Sequence, residues 1–194
     1  RHLPGLLCRS LAAIFRLKLE LAADAGRKLR LHMALGQILE IELNRPQEAL
    51  EAYEKALKLD NRHFPAVQGA RRLYSTLEKW HLLVQLLETE LETASSTSYY
   101  VACAYQLGYI LETKFANRGR ACELYRKVLD LKPRNRDAFA RLRRILEDEH
   151  NYLLLVELLE KRLEVLDTPA EKIEMRRDIA QLAERELADF EKAI

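Results

Sequence analysis

The sequence predicts an all-α protein, a solenoid of stacked antiparallel helix pairs, on three observations. The first is composition. Val, Ile and Thr together make up 20 of 194 residues, with only 6 Gly and 5 Pro, while Leu, Ala, Glu, Lys and Arg dominate. A sheet protein carries more β-branched and turn residues, and these five are the best helix formers. The second is an internal repeat. Sliding the chain against itself by 72 positions aligns residues 27–98 with 99–170 without a gap, at 23 identities. The third is periodicity. Each copy holds apolar residues at helical spacing, broken by connections so short that successive helices must run antiparallel.

In order along the chain, residues 1–26 read as the last helix of a preceding repeat, with Leu11, Ile14 and Leu19 aligning on Leu83, Leu86 and Leu91. Residues 27–98 are the first complete copy, two helix pairs. Its first helix spans 27–43 and ends near Asn44-Arg45-Pro46. The second spans 46–59, where Pro46 suits the first helical position because its missing N–H would have no partner there. The third spans about 63–76, and the fourth, with a leucine-rich face from Leu82 to Leu91, about 79–93. Residues 99–168 are the second copy, whose second helix stops at Lys132-Pro133. Residues 169–194 begin a third copy, with Ala193 under Ala121. There is no initiator Met, and the last residues read as mid-helix, so the expectation is a piece of a longer polypeptide. Its uncovered end helices are expected to self-associate or to bind their continuation.

A helix pair of about 36 residues with these motifs resembles the tetratricopeptide repeat, whose pattern is W-x2-L-G-x2-Y, then A-x3-F-x2-A, then Pro. Leu35-Gly36-x2-Leu39 and Ala49-x3-Tyr53-x2-Ala56 match it, as do Leu107-Gly108-x2-Leu111, Ala121-x3-Tyr125-x2-Val128 and Pro133. The Gly-to-Ala spacing is 13, one longer than usual, so an extended turn is expected. Gly36 and Gly108 are expected to let a second helix cross closely, with Tyr53 and Tyr125 filling the space between helices. The stacked pairs are expected to wind as a right-handed superhelical solenoid. The resemblance implies a concave face lined mainly by the first helix of each pair, and a protein or peptide partner.

Catalytic signals are lacking, and the expectation is no enzyme. His2, His32, His63, His81 and His150 form neither HxxxH nor HExxH, and no GxSxG, GxGxxG or P-loop occurs. Cys8, Cys103 and Cys122 contain no CxxC and read as small apolar helix residues, so no metal or cofactor is expected. They mildly favour a reducing compartment and hence a cytoplasmic protein, though a periplasmic or envelope-associated one would look the same. No window of 18 apolar residues is present to span a membrane.

The candidate partner surface rests on two clusters. Arg71-Arg72 recurs as Arg143-Arg144, 72 residues on. Arg143 and Arg144 have Glu147 and Asp148 one turn along, but Arg71 and Arg72 have no acid three or four residues away. Tyr99, Tyr100, Tyr105 and Tyr109 open the second copy, and Tyr105 and Tyr109 join the arginines as candidate partner-binding residues. The expected ligand is an acidic or phosphorylated segment, because the guanidinium fork suits carboxylates. The bland alternative pairs these arginines with glutamates on an adjacent helix. A carboxylate clamp of the chaperone-tail type is disfavoured, since Gln37 and Tyr109 stand where its Asn would follow Leu-Gly. Two other functions compete: RNA binding of the HAT or pentatricopeptide kind, and a purely structural spacer in a large assembly. A net charge of +2, from 32 basic and 30 acidic residues, argues against nucleic acid.

Overall fold

In the computed structural model, which describes residues 3–184, ten α-helices follow one another and no strand occurs among the described residues. They are α1 (Leu3–Leu21), α2 (Ala25–Gln37), α3 (Pro46–Leu59), α4 (Phe64–Thr76), α5 (Trp80–Thr93), α6 (Thr97–Lys114), α7 (Arg118–Leu131), α8 (Arg136–Asp148), α9 (Tyr152–Val165) and α10 (Pro169–Leu182). A π-helical turn, Ile38–Glu42, follows α2. The expected single helix over 27–43 is therefore an α-helix closed by a wider turn. Most starts are capped by a short polar side chain that accepts an amide from the first turn. Asp24, Ser96, Asn117, Asn135, Asn151 and Thr168 do this for α2, α6, α7, α8, α9 and α10.

The extra residue between Leu-Gly and Ala is absorbed at the helix ends. The Arg45 amide reaches back six residues to Leu39 O at 2.7 Å, and the Asn117 amide does the same to Leu111 O at 2.8 Å. Asn44 and Ala116, just before them, take positive φ of 48° and 52°. Glu78 and His150 repeat this at the other helix ends, with φ of 54° and 53°. The 72-residue period is thus a period of backbone conformation as well as of sequence, although none of the four residues is glycine.

The chain packs as two compact units, one ending at Leu86 and one starting at Leu87, so that α5 carries residues of both. In the first, α2 packs on α1 and α3, and α3 on α4. Its core is Leu35, Leu39, Ala49, Leu50, Tyr53, Ala56, Ala66, Ala70 and Leu73. In the second, α6 packs on α7, α7 on α8, α8 on α9 and α9 on α10. Its core is Cys103, Leu107, Ala121, Tyr125, Val128, Leu142, Ile145, Leu146, Leu155 and Leu159. Small residues abound because helices of adjacent pairs approach closely, and each pair buries its faces only against its neighbours. On α1, Leu7, Leu11, Ile14, Leu17 and Leu21 remain exposed.

Candidate partner-binding face

Each unit contains the same polar cluster, built from the π-helical turn after α2 with α3 and α4 in the first and from α6, α7 and α8 in the second. In the first unit the centre is Glu40. It accepts the Tyr53 hydroxyl at 2.8 Å, Arg72 Nε at 2.6 Å and Arg72 Nη2 at 2.9 Å, a bidentate ion pair. Arg72 lies 32 residues beyond Glu40, so the acid that compensates it comes from the preceding helix pair. That is why a search one turn along its own helix finds none. Hydrogen bonding to Arg72 is the largest cause holding the Glu40 carboxyl below its ordinary range, with Tyr53 adding to it against burial. Burial beside that carboxylate pushes the Tyr53 hydroxyl well above the ordinary tyrosine range.

Tyr53 is placed by glycine on both sides. A Cβ on Gly36 would lie 2.6 Å from Tyr53 Cε1, and one on Gly69 would lie 2.7 Å from Cε2. The ring stands edge-on in a slot made by α2 and α4, with its hydroxyl aimed at Glu40.

In the second unit the centre is Glu112, whose side chain is 4% exposed. It accepts the Tyr125 hydroxyl at 2.8 Å and Arg144 Nη2 at 2.7 Å. It also accepts Arg141 Nη1, at 3.1 Å and 3.3 Å to its two oxygens. The Arg141 guanidinium lies 4.3 Å from the centre of the Tyr109 ring, and Tyr105 lies 5.8 Å from Tyr125. Burial works against the Arg141 cation, but hydrogen bonds to Tyr105 and Glu112 hold it above the ordinary arginine range. A Cβ on Gly108 would come within 2.9 Å of the Tyr125 ring.

Of the residues singled out from the sequence, Tyr105, Tyr109 and Arg144 meet on the α6/α8 face, with Tyr109 and Arg144 exposed. Arg143 lies on the same helix but turns to Glu147 at 2.7 Å and to Asp178 of α10 at 3.3 Å. Arg72 belongs to the first unit, locked on Glu40, and Arg71 is half-buried with an interaction of its own. The two basic pairs are therefore not two free pairs. All are engaged, three of the four with defined carboxylates: Arg72 and Arg144 with a glutamate of another element, Arg143 with Glu147 of its own helix and Asp178 of α10. Tyr99 bonds Glu90, away from this cluster. Sequence reasoning did not select Glu40, Glu112 or Arg141, although Arg141 falls in a run with Arg134, Arg136, Arg143 and Arg144. The repeated Ile-Leu-Glu at 38–40 and 110–112 was the available signal for the acids. Arg141 had no repeat signal, because Gly69 is its counterpart.

Other concavities are grooves between helices. One of about 390 Å³ lies among α7, α8 and α9, floored by Leu142, Leu146 and Leu158, with Arg162 stacked 5.1 Å from the Phe139 ring. Its walls set Arg126, Lys161 and Arg162 against Asp130, Glu157 and Glu164, so no charge is left over. Among the described residues no cluster of His, Cys, Asp or Glu could hold a metal, and no helix is long and apolar enough to cross a membrane.

Consecutive antiparallel helices packed as stacked pairs define a helical-repeat protein. Residues 29–63, one helix pair of the array, match the tetratricopeptide repeat family. Among solved structures, the chain is similar to MamA at a TM-score of 0.55 and 16% identity, covering 88% of this chain and 89% of that one. It is similar to YrrB, described as a tetratricopeptide-repeat protein with an unusual peptide-binding site, at 0.52 and 19%, covering 94% and 100%. It is also similar to PilF of Pseudomonas aeruginosa at 0.50 and 19%, covering 94% and 80%. At these identities the likeness is one of fold. A search of curated proteins returned no match.

Proposed function

We propose that the chain is a non-enzymatic protein-interaction scaffold that binds an acidic peptide segment on the face of α6 and α8. The observation that carries this reading is that an exposed aromatic ring, Tyr109 of α6, and an exposed guanidinium, Arg144 of α8, flank the same Arg141–Glu112 pair. Tyr offers area at low entropic cost, and Arg offers a planar fork for carboxylates. The peptide-binding site of YrrB, a protein of the same fold, lends support. Selection from a displayed random peptide library tests it. Sequences enriched in Asp and Glu are expected, with binding that weakens as salt rises, because exposed charges are screened over about 8–10 Å near physiological ionic strength. Enrichment of basic sequences, or none at all, would overturn it. The exposed apolar stripe of α1 favours self-association as a second reading, which sedimentation across a concentration series separates from peptide binding.

A further inference from the structure

The two polar clusters share a skeleton of carboxylate, tyrosine and arginine but differ at three surrounding positions. Met33, Gln37 and Gly69 in the first copy stand where Tyr105, Tyr109 and Arg141 stand in the second, each 72 residues on. The consequence is electrostatic. In the first unit one guanidinium meets one carboxylate, and Arg72 spends both Nε and Nη2 on Glu40. The charges cancel. In the second unit two guanidiniums share Glu112, which also takes the Tyr125 hydroxyl. One positive charge is left over, because a carboxylate carries a single negative charge to set against two cations.

Arg141 also changes what Arg144 can do. It lies against both oxygens of Glu112, so Arg144 bonds that carboxylate through Nη2 alone, whereas Arg72 holds Glu40 by two nitrogens. The Arg144 side chain is 63% exposed, against 27% for Arg141. Arg141 is thus the fixed cation, clamped between Glu112 and the Tyr109 ring, and Arg144 is the outward one. Arg72, with its side chain 57% exposed, is nearly as open, but its charge is already matched one for one by Glu40, whereas the second unit keeps a cation in excess for a new carboxylate.

We infer that Arg141 is the specificity-determining residue of the partner-binding face. It makes the α6/α8 face, and not the α2/α4 face, the one that takes an acidic peptide, whose carboxylate pairs with the outer edge of Arg144 while an adjacent apolar side chain lies on Tyr109. This rests on the peptide-binding reading above. Arg141 acts partly by contact and partly by releasing Arg144, so its loss should change affinity and salt dependence together.

The test uses the whole chain and a labelled synthetic peptide alternating Glu with Leu, alongside the same peptide with Lys for Glu, read by fluorescence anisotropy across a salt series. The Glu peptide should bind and the Lys peptide should not. Arg141→Gln should weaken binding by about tenfold or more and flatten the salt dependence, since charge-assisted contacts are the strong ones. Arg72→Gln should lower the melting temperature yet leave affinity within about twofold, as expected of an independent site. Tyr109→Leu removes an exposed ring and its stacking on Arg141 but leaves the hydrogen bonds to Glu112, so it should fold and bind more weakly. The inference is overturned if Arg141→Gln binds like the wild type, or if Arg72→Gln and Arg141→Gln weaken binding equally. If the wild type binds neither peptide, or binds the Lys peptide, the acidic-peptide reading itself falls and this inference falls with it.

Discussion

Glu40 and His32 give the first unit two separate pH sensitivities. Arg72 first, then Tyr53, hold the Glu40 carboxyl below its ordinary value of 4.5 against the pull of burial. As pH falls, the unfolded chain takes up that proton first. The stability Glu40 contributes is therefore whole above the ordinary carboxylate range and is lost as pH falls through its lower folded pKa. Burial, then Lys55 and Lys28, hold His32 below its ordinary 6.5. The unfolded imidazole is again protonated first, so stability begins to fall below about 6.5 and levels off once the folded imidazole is also protonated. Melting temperatures measured from neutral to acid pH should thus fall in two steps. His32→Gln should remove the step that begins near neutrality, and Glu40→Gln the more acidic one. A profile unchanged by either substitution would show that neither group is linked to folding.

At the scale of the element, the four left-handed residues decide how helices end. Asn tolerates this conformation, but Ala116, at φ 52°, has neither a side-chain amide nor glycine's freedom. Replacing it with glycine relieves a Cβ clash costing roughly 1–2 kcal/mol and gives back part of that as unfolded-state entropy. Ala116→Gly is therefore expected to raise stability by up to about 1 kcal/mol, read as a higher denaturant midpoint with unchanged slope. A lower midpoint would mean that the Asn117 amide to Leu111 O bond, rather than backbone strain, governs this turn. The same geometry explains the spacing of 13 between Gly36 and Ala49. A π-helical turn after α2, and the six-residue reach of Arg45 and Asn117, place the extra residue without breaking the helix pair.

At the scale of the molecule, a repeat protein transmits a defect only to its neighbours, because each pair is stabilised by the pairs beside it. Gly36→Ala tests this. The added methyl would press on Tyr53, and the ring has no room to retreat because Gly69 backs its other edge. Overpacking of this kind costs roughly 1–3 kcal/mol. Amide hydrogen exchange should then show lost protection in α2, α3 and α4, with α7 and α8 unchanged. Uniform loss along the chain would mean one global folding unit. Gly108→Ala should cost less, because the nearest Tyr125 ring carbon would be 2.9 Å away and the next 3.3 Å.

The sequence by itself determined the helices, their order and the repeat type. Apolar spacing, Pro46, Pro133 and the 72-residue self-match are local or periodic signals, and they need no knowledge of what packs on what. The tyrosines of the A-x3-Tyr motif were legible for the same reason, as was glycine making room for them. Only the tertiary structure decided the chemistry of the face. Arg72 reaches an acid 32 residues earlier, so its compensation depends on how one helix pair stacks on the next, which no spacing along a single helix reveals. Arg141 stands where Gly69 stands one copy earlier, and a search for repeated residues passes over a position whose importance lies in its difference. Charge balance is a sum over groups brought together in space, and that sum leaves one cation over at Glu112 and none at Glu40.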